Sequence, residues 1–85
     1  MMEELALRLI EHLKTNYKGL LEQRYQVSEE ETPVKILEGI AKVRGCLKKG
    51  EELDYAKASL LLFDEFRSGK IGRITLEWPQ KENEE

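Results

Sequence analysis

An 85-residue chain allows one small domain, because domains usually contain about 100–200 residues and the smallest self-folding ones about 50. Its hydrophobic residues, 40% of the total, recur periodically among 36% charged residues, which argues against disorder over most of the length. The formal net charge of −3, taken alone, argues against nucleic acid as a partner.

The first part of the chain contains two predicted helices. From Met2 to Tyr17, apolar residues recur at the i, i+3, i+4 and i+7 spacing of an amphipathic helix. Gly19 interrupts this pattern, and residues 20–25 then fit a short second helix or turn. The polar residues 27–32 follow as a predicted loop.

The third and fourth predicted helices are marked by residues that start and stop helices. Thr32 suits the N-cap of the third helix, Pro33 suits its first turn, and Gly45 is its natural left-handed stop. Asp54 suits the N-cap of the fourth helix, which is predicted to run to about Arg67. Both helices therefore have predicted boundaries that rest on local chemistry.

The remaining pattern completes the predicted fold. On a helical wheel of the fourth helix, Leu61 falls on the polar face together with Glu65, so either the first helix or a partner should cover it. Residues 70–78 alternate loosely and are interpreted as an extended tail laid across the helices. We expect an all-α fold, a small bundle of three to four helices with this C-terminal tail, forming one domain over 1–79 before a disordered acidic end at 80–85.

The charge is unevenly distributed along the chain. Residues 1–34 hold four Lys/Arg and seven Asp/Glu, residues 35–73 hold nine and six, and residues 74–85 hold one and four. The centre is therefore basic, +3, between two acidic ends of −3 each. Seven of its nine cations lie in two glycine-containing turns, which are what contact with a phosphate backbone would use. The candidate RNA-binding residues are Lys42, Arg44, Gly45, Lys48 and Lys49 in the first turn, and Arg67, Gly69, Lys70, Gly72 and Arg73 in the second.

A structural explanation competes with each of these assignments. Cations near helix C-termini also complement the helix dipole, and the glycines also serve as helix stops. Tyr55 and Trp78 could stack on bases, but anchoring of the core or the tail explains them as well. His12 is expected to be solvated and inert, and Cys46 to be a small half-buried apolar residue.

Few kinds of chemistry fit this inventory. The single cysteine excludes an intramolecular disulfide, and the charged N-terminal segment is unlike a signal peptide or a membrane span, so we expect a cytoplasmic protein without a membrane partner. Residues 68–72 only superficially resemble a phosphate loop, since the required Gly-x-x-x-x-Gly-Lys-Ser/Thr pattern is missing. We expect no enzyme activity, metal site or cofactor in these residues.

The basic turns resemble a known family. Arg44 to Gly50, the motif Asp54-Tyr55-x-Lys57-Ala58 and the long run from Asp64 to Glu77 are similar to the C-terminal domain of the ribosome biogenesis GTPase A family, and residues 5–25 are similar to the start of that domain. These proteins are circularly permuted GTPases that act in late assembly of the large ribosomal subunit. The resemblance covers about Leu5 to Glu77.

The resemblance implies a helical domain that helps to dock the GTPase on ribosomal RNA. It interprets Asp54 as a helix cap and Asp64 as the partner of a nearby arginine, and it assigns phosphate contacts to Arg44, Lys48, Lys49, Arg67, Lys70 and Arg73. The GTPase motifs are missing from this sequence, so GTP and magnesium are expected only in an upstream domain. The doubled Met1-Met2 start fits a chain cut out of a longer protein.

Two functions of different classes remain open. The first is a non-catalytic domain that binds large-subunit ribosomal RNA or the pre-ribosomal particle. The second is an interaction module that contacts its own GTPase domain or a ribosomal protein, which Leu61 and the acidic face with Glu4 and Glu11 suggest.

Overall fold

The computed structural model describes residues 2–72, and within them it contains four α-helices. They are α1 (Met2–Asn16), α2 (Leu20–Tyr25), α3 (Pro33–Val43) and α4 (Tyr55–Arg67). A single 3-10 turn, Lys49–Glu51, lies between α3 and α4. The helices α1, α3 and α4 all pack on one another, and α2 packs on α1 and α3. The prediction of a small all-α bundle is confirmed, while most of the predicted tail and the 80–85 end lie outside the described residues.

The helix boundaries follow the predicted capping chemistry. The hydroxyl of Thr32 accepts a hydrogen bond from the backbone N–H of Lys35 at 3.3 Å. The carboxylate of Asp54 accepts one from the backbone N–H of Lys57 at 3.0 Å. Gly19 adopts a φ of 96°, which is costly for a residue with a Cβ, and so separates α2 from α1. The interpretation of Asp54 as a cap is confirmed.

The core lies where the apolar faces of the helices meet. Two apolar residues of α3 lie outside this core, since Val34 is 57% exposed and Val43 is 47% exposed. The face of α3 that packs against α1 and α4 is a narrow stripe of four buried residues, Ile36, Leu37, Ile40 and Ala41. The buried apolar residues are Ala6, Ile10, Leu13, Leu21, Tyr25, Ile36, Leu37, Ile40, Ala41, Cys46, Ala58, Leu62 and Ile71.

Helix α4 presents a different face to the core than its pattern of charges predicted. Glu65 is only 9% exposed, so its placement on the polar face is wrong. It follows Ala58 by seven residues and Leu62 by three, which puts it on the same buried stripe. Leu61 is half-buried against the core, so the bundle itself covers part of it, while Leu60 is 56% exposed. No helix within residues 2–72 is long and apolar enough to span a membrane.

Candidate nucleic-acid interface

A buried carboxylate joins three helix ends. Oε1 of Glu65 accepts a hydrogen bond from the hydroxyl of Tyr25 at 2.8 Å and another from Nε of Arg24 at 3.1 Å. Its second oxygen, Oε2, accepts one from Nη1 of Arg44 at 3.3 Å. The guanidinium of Arg44 also lies over the ring of Tyr25, 5.1 Å from its centroid. We refer to these four residues as the Glu65 cluster.

The charges in the Glu65 cluster support one another. Burial opposes ionisation of Glu65, but the hydrogen bonds from Arg24 and Tyr25 and the charge of Arg44 outweigh it and hold the pKa of Glu65 below its ordinary value. The hydrogen bond to Glu65 raises the pKa of Arg24. Burial, together with its hydrogen bond to Glu65, raises the pKa of Tyr25 well above the usual range. Glu65 is therefore ionised near neutral pH and carries two bound arginines.

Glu65 links one residue of the first predicted basic turn to one residue of the second. Arg44, the C-cap of α3, belongs to the first turn and reaches Glu65 through its side chain. Lys70 belongs to the second turn, and its backbone N–H donates to the carbonyl of Glu65 at 2.9 Å. Gly69 before it adopts a φ of 81°, so glycine is required for this close turn. Residues that are 26 positions apart in the chain thus both bind Glu65, Arg44 at its carboxylate and Lys70 at its backbone carbonyl.

The lysines of the first turn lie farther away, near the other end of α4. Lys48 and Lys49 are exposed in the loop that leads into α4, and Lys70 follows the opposite end. Helix α4, which is about 20 Å long at 1.5 Å per residue, lies between the two groups in the chain. Gly45, at a φ of 66°, turns the chain into this loop. The predicted residues therefore form two groups of cations along α4, with Arg44 pointing to the second.

Besides Arg44, two further predicted contacts are already paired within the chain. Lys42 lies 3.5 Å from Glu38 in an exposed ion pair one helical turn away. Arg67 lies 3.2 Å from Asp64, and both side chains are about three-quarters exposed. The interpretation of Asp64 as an arginine partner is confirmed. Such exposed pairs contribute little stability and open readily, so both cations remain accessible to a phosphate. Arg73 lies outside the described residues.

Sequence reasoning missed three residues of the site. Arg24 and Tyr25 belong to a segment whose net charge is acidic, and Glu65 sits in a run of polar residues at the end of α4. One signal was present, because a glutamate seven residues after Ala58 and three after Leu62 occupies a core position. A charge at such a position predicts a buried partner of opposite sign.

Two side chains outside the site also differ from expectation. His12 is half-buried rather than solvated, and its Nε2 is buried without a hydrogen-bond partner among the described residues. Its Nδ1 lies 3.1 Å from the side-chain amide of Asn16. Cys46 is fully buried rather than half-buried, and burial raises the pKa of its thiol, which disfavours the reactive thiolate.

Comparison with known proteins identifies relatives for almost the whole chain. Ribosome biogenesis GTPase A of Bacillus cereus is 34% identical over 99% of the chain, and that of Priestia megaterium is 35% identical over 94%. Probable ribosome biogenesis GTPase A of Mycoplasma genitalium is 34% identical over 89%. The chain spans only 29%, 28% and 26% of the length of these relatives. No family model matches the sequence.

Proposed function

Because the chain belongs to the ribosome biogenesis GTPase A family and corresponds to a C-terminal domain of its longer members, we propose that it is a non-catalytic RNA-binding domain. In this proposal it docks the GTPase on ribosomal RNA of the assembling large subunit. The names of the relatives support the role in ribosome assembly, and the basic turns support RNA as the contact. GTP hydrolysis belongs, in this proposal, to the remainder of the longer protein.

The observation that carries the proposal is the availability of the turn lysines. Lys48, Lys49 and Lys70 are exposed and make no ion pair with a described residue. An ammonium group without a protein partner keeps its full charge for a phosphate, and its binding releases counterions from the RNA. Two groups of such cations, one before and one after a helix about 20 Å long, fit several phosphates of one folded RNA.

The aromatic residues within 2–72, a range that does not include Trp78, favour recognition of shape and backbone over reading of bases. Single-strand binders present rings on which bases stack. Here Tyr25 is fully buried, and Tyr55, Phe63 and Phe66 are half-buried against the core. The alternative of base stacking by Tyr55 is therefore disfavoured. Phosphate contacts position a protein on RNA without specifying a sequence, so specificity must come from the fold of the RNA.

Charge reversal tests the proposal. Lys48→Glu and Lys70→Glu should each weaken binding to in vitro transcribed fragments that together cover the large-subunit ribosomal RNA. Each should also make the log–log salt dependence shallower by about 1, because one phosphate contact is lost. Lys18→Glu is the matched control, because this substitution makes the same charge change on an acidic surface, beside Glu22, Glu29 and Glu30. Equal effects of all three variants, at unchanged helicity, would contradict the proposal.

A second candidate function is protein contact, and one surface favours it. Met2, Leu5 and Leu60 are 40%, 52% and 56% exposed, and with Leu61 and Phe63 they line an open groove of about 590 Å³ between α1 and α4. We refer to this surface as the apolar groove. Exposed apolar surfaces of this kind mark contact sites. Since the relatives are more than three times as long, the occupant in this second candidate is the remainder of the GTPase.

The two candidates are separable by experiment. Leu60→Asp should release the domain from a GTPase fragment supplied in trans, if the apolar groove is the contact. Val34→Asp is the control, because Val34 is equally exposed, at 57%, but lies on α3 outside the groove. Release of the domain from pre-large-subunit particles by RNase treatment favours RNA contact, whereas binding to the GTPase fragment that survives the same treatment favours protein contact.

A further inference from the structure

The Glu65 cluster holds two arginines in a fixed orientation at the edge of the basic turns. Arg24 binds Glu65 through Nε, so its two terminal nitrogens are not used in this ion pair. Arg44 binds Glu65 through Nη1, so its Nε and Nη2 are likewise not used in the ion pair. The side chains are 31% and 28% exposed, so both guanidinium groups reach the solvent.

The anchoring of these arginines makes them more suitable for a phosphate than mobile surface cations. A guanidinium is planar, always charged, and carries five donors in a fork that matches phosphate oxygens. Immobilising a long side chain before binding removes part of the entropy cost of association. Here Arg24 is fixed by Glu65, and Arg44 is fixed by Glu65 and by the ring of Tyr25. The buried carboxylate neutralises one of the two charges, so the pair retains one positive charge.

The position of the pair also suits a ligand of the second basic turn. Arg24 binds one oxygen of the Glu65 carboxylate and Arg44 binds the other, so their guanidinium groups lie close together. Lys70 is exposed and is tied through its backbone N–H to the carbonyl of Glu65. Cations from α2, from the C-cap of α3 and from the segment after α4 are therefore all attached to Glu65, the two arginines through its carboxylate and Lys70 through its backbone.

We infer that Arg24 and Arg44, oriented by Glu65 and accompanied by Lys70, form a site for one phosphate group of the bound RNA. This inference rests on the proposed function and names a contact that the charge pattern did not identify, since Arg24 lies in an acidic segment. Arg24 and Arg44 are the binding residues, and Glu65 is a positioning residue.

Arginine substitutions test the site with the same set of RNA fragments. Arg24→Gln should weaken binding about eightfold at 0.1 M salt and make the log–log salt slope shallower by about 0.9, the contribution of one phosphate contact. Arg24→Lys should restore the slope but only part of the affinity, because an ammonium lacks the planar fork. Arg8→Gln, on the exposed face of α1, is the matched control and should change neither quantity beyond the general effect of charge.

A purely structural role for Arg24 gives a different result. Arg24→Gln would then lower the unfolding temperature but leave the affinity and salt slope of the folded protein unchanged, which would overturn the inference. Equal losses in Arg24→Gln and Arg8→Gln would overturn it too. If the unsubstituted chain shows no salt-dependent RNA binding, the proposed function itself fails, and that outcome is distinguishable because it requires no variant.

Discussion

Replacement of Glu65 by glutamine is expected to destabilise the domain by about 2 kcal/mol. A hydrogen bond to a charged group contributes about 1.5–3 kcal/mol, roughly twice a neutral one. A glutamine oxygen can still accept from Tyr25, so that buried bond loses about half its value, or about 1 kcal/mol. The amide nitrogen cannot accept from Arg44, which costs about 1 kcal/mol after allowance for the partial exposure of this arginine. The ion pair with Arg24 adds no further cost to this total, because Arg24 is partly exposed to solvent.

This change is measurable by thermal and urea unfolding. For a domain of this size, 1 kcal/mol corresponds to about 4–8 °C, so the unfolding temperature of Glu65→Gln should fall by about 8–16 °C. The neighbouring Asp64→Asn is the control, because Asp64 is 77% exposed and its pair with Arg67 should contribute less than about 0.5 kcal/mol. If the two variants unfold within a degree or two of each other, Glu65 does not hold the helix ends together.

Further predictions concern pH, packing and thiol reactivity. The folded-state pKa of Glu65 is lowered, so the stability that its ionised carboxylate gives the domain is complete above the unfolded-state pKa of about 4.3 and is lost as the pH falls. On acidification, the Glu65→Gln variant should therefore lose less stability than the unsubstituted protein, as measured by circular dichroism. A Cβ at Gly39 would lie 2.8 Å from Cγ1 of Val27, so Gly39→Ala should cost about 1 kcal/mol despite the better helix propensity of alanine. In a Val27→Ala background the same change should become stabilising, and a double-mutant cycle in urea that shows no coupling would contradict the packing argument. The buried Cys46 thiol should react with an aromatic disulfide reagent far more slowly in the folded protein than in denaturant, and equal rates would show that it is accessible.

The helices were predictable because their signals are local. Thr32 and Asp54 cap the helices that follow them through bonds to residues three positions ahead, and the sequence alone contains both partners. Gly19 and Gly45 likewise interrupt helices through a conformation that depends on their own lack of a side chain. Such interactions leave a recognisable pattern within four or five residues. The order and approximate ends of the helices followed from these patterns.

The candidate site was only partly predictable because its central interactions are long-range. Glu65 binds Arg24 across 41 positions and Arg44 across 21, and no local pattern contains these pairs. Charge counting placed Arg44 among the free cations, although the structure shows it paired with a buried carboxylate. Counting also left out Arg24, since it lies in a segment with net charge −3. Segment charge therefore located the basic turns but could not show which cations are restrained within the fold.

The salt dependence of RNA binding by the unsubstituted chain tests the central proposal most directly. The affinity for the large-subunit ribosomal RNA fragments should be measured at several salt concentrations between about 50 and 300 mM. Four to six phosphate contacts predict a log–log slope of about −3 to −5. A flat response would contradict docking through the basic turns.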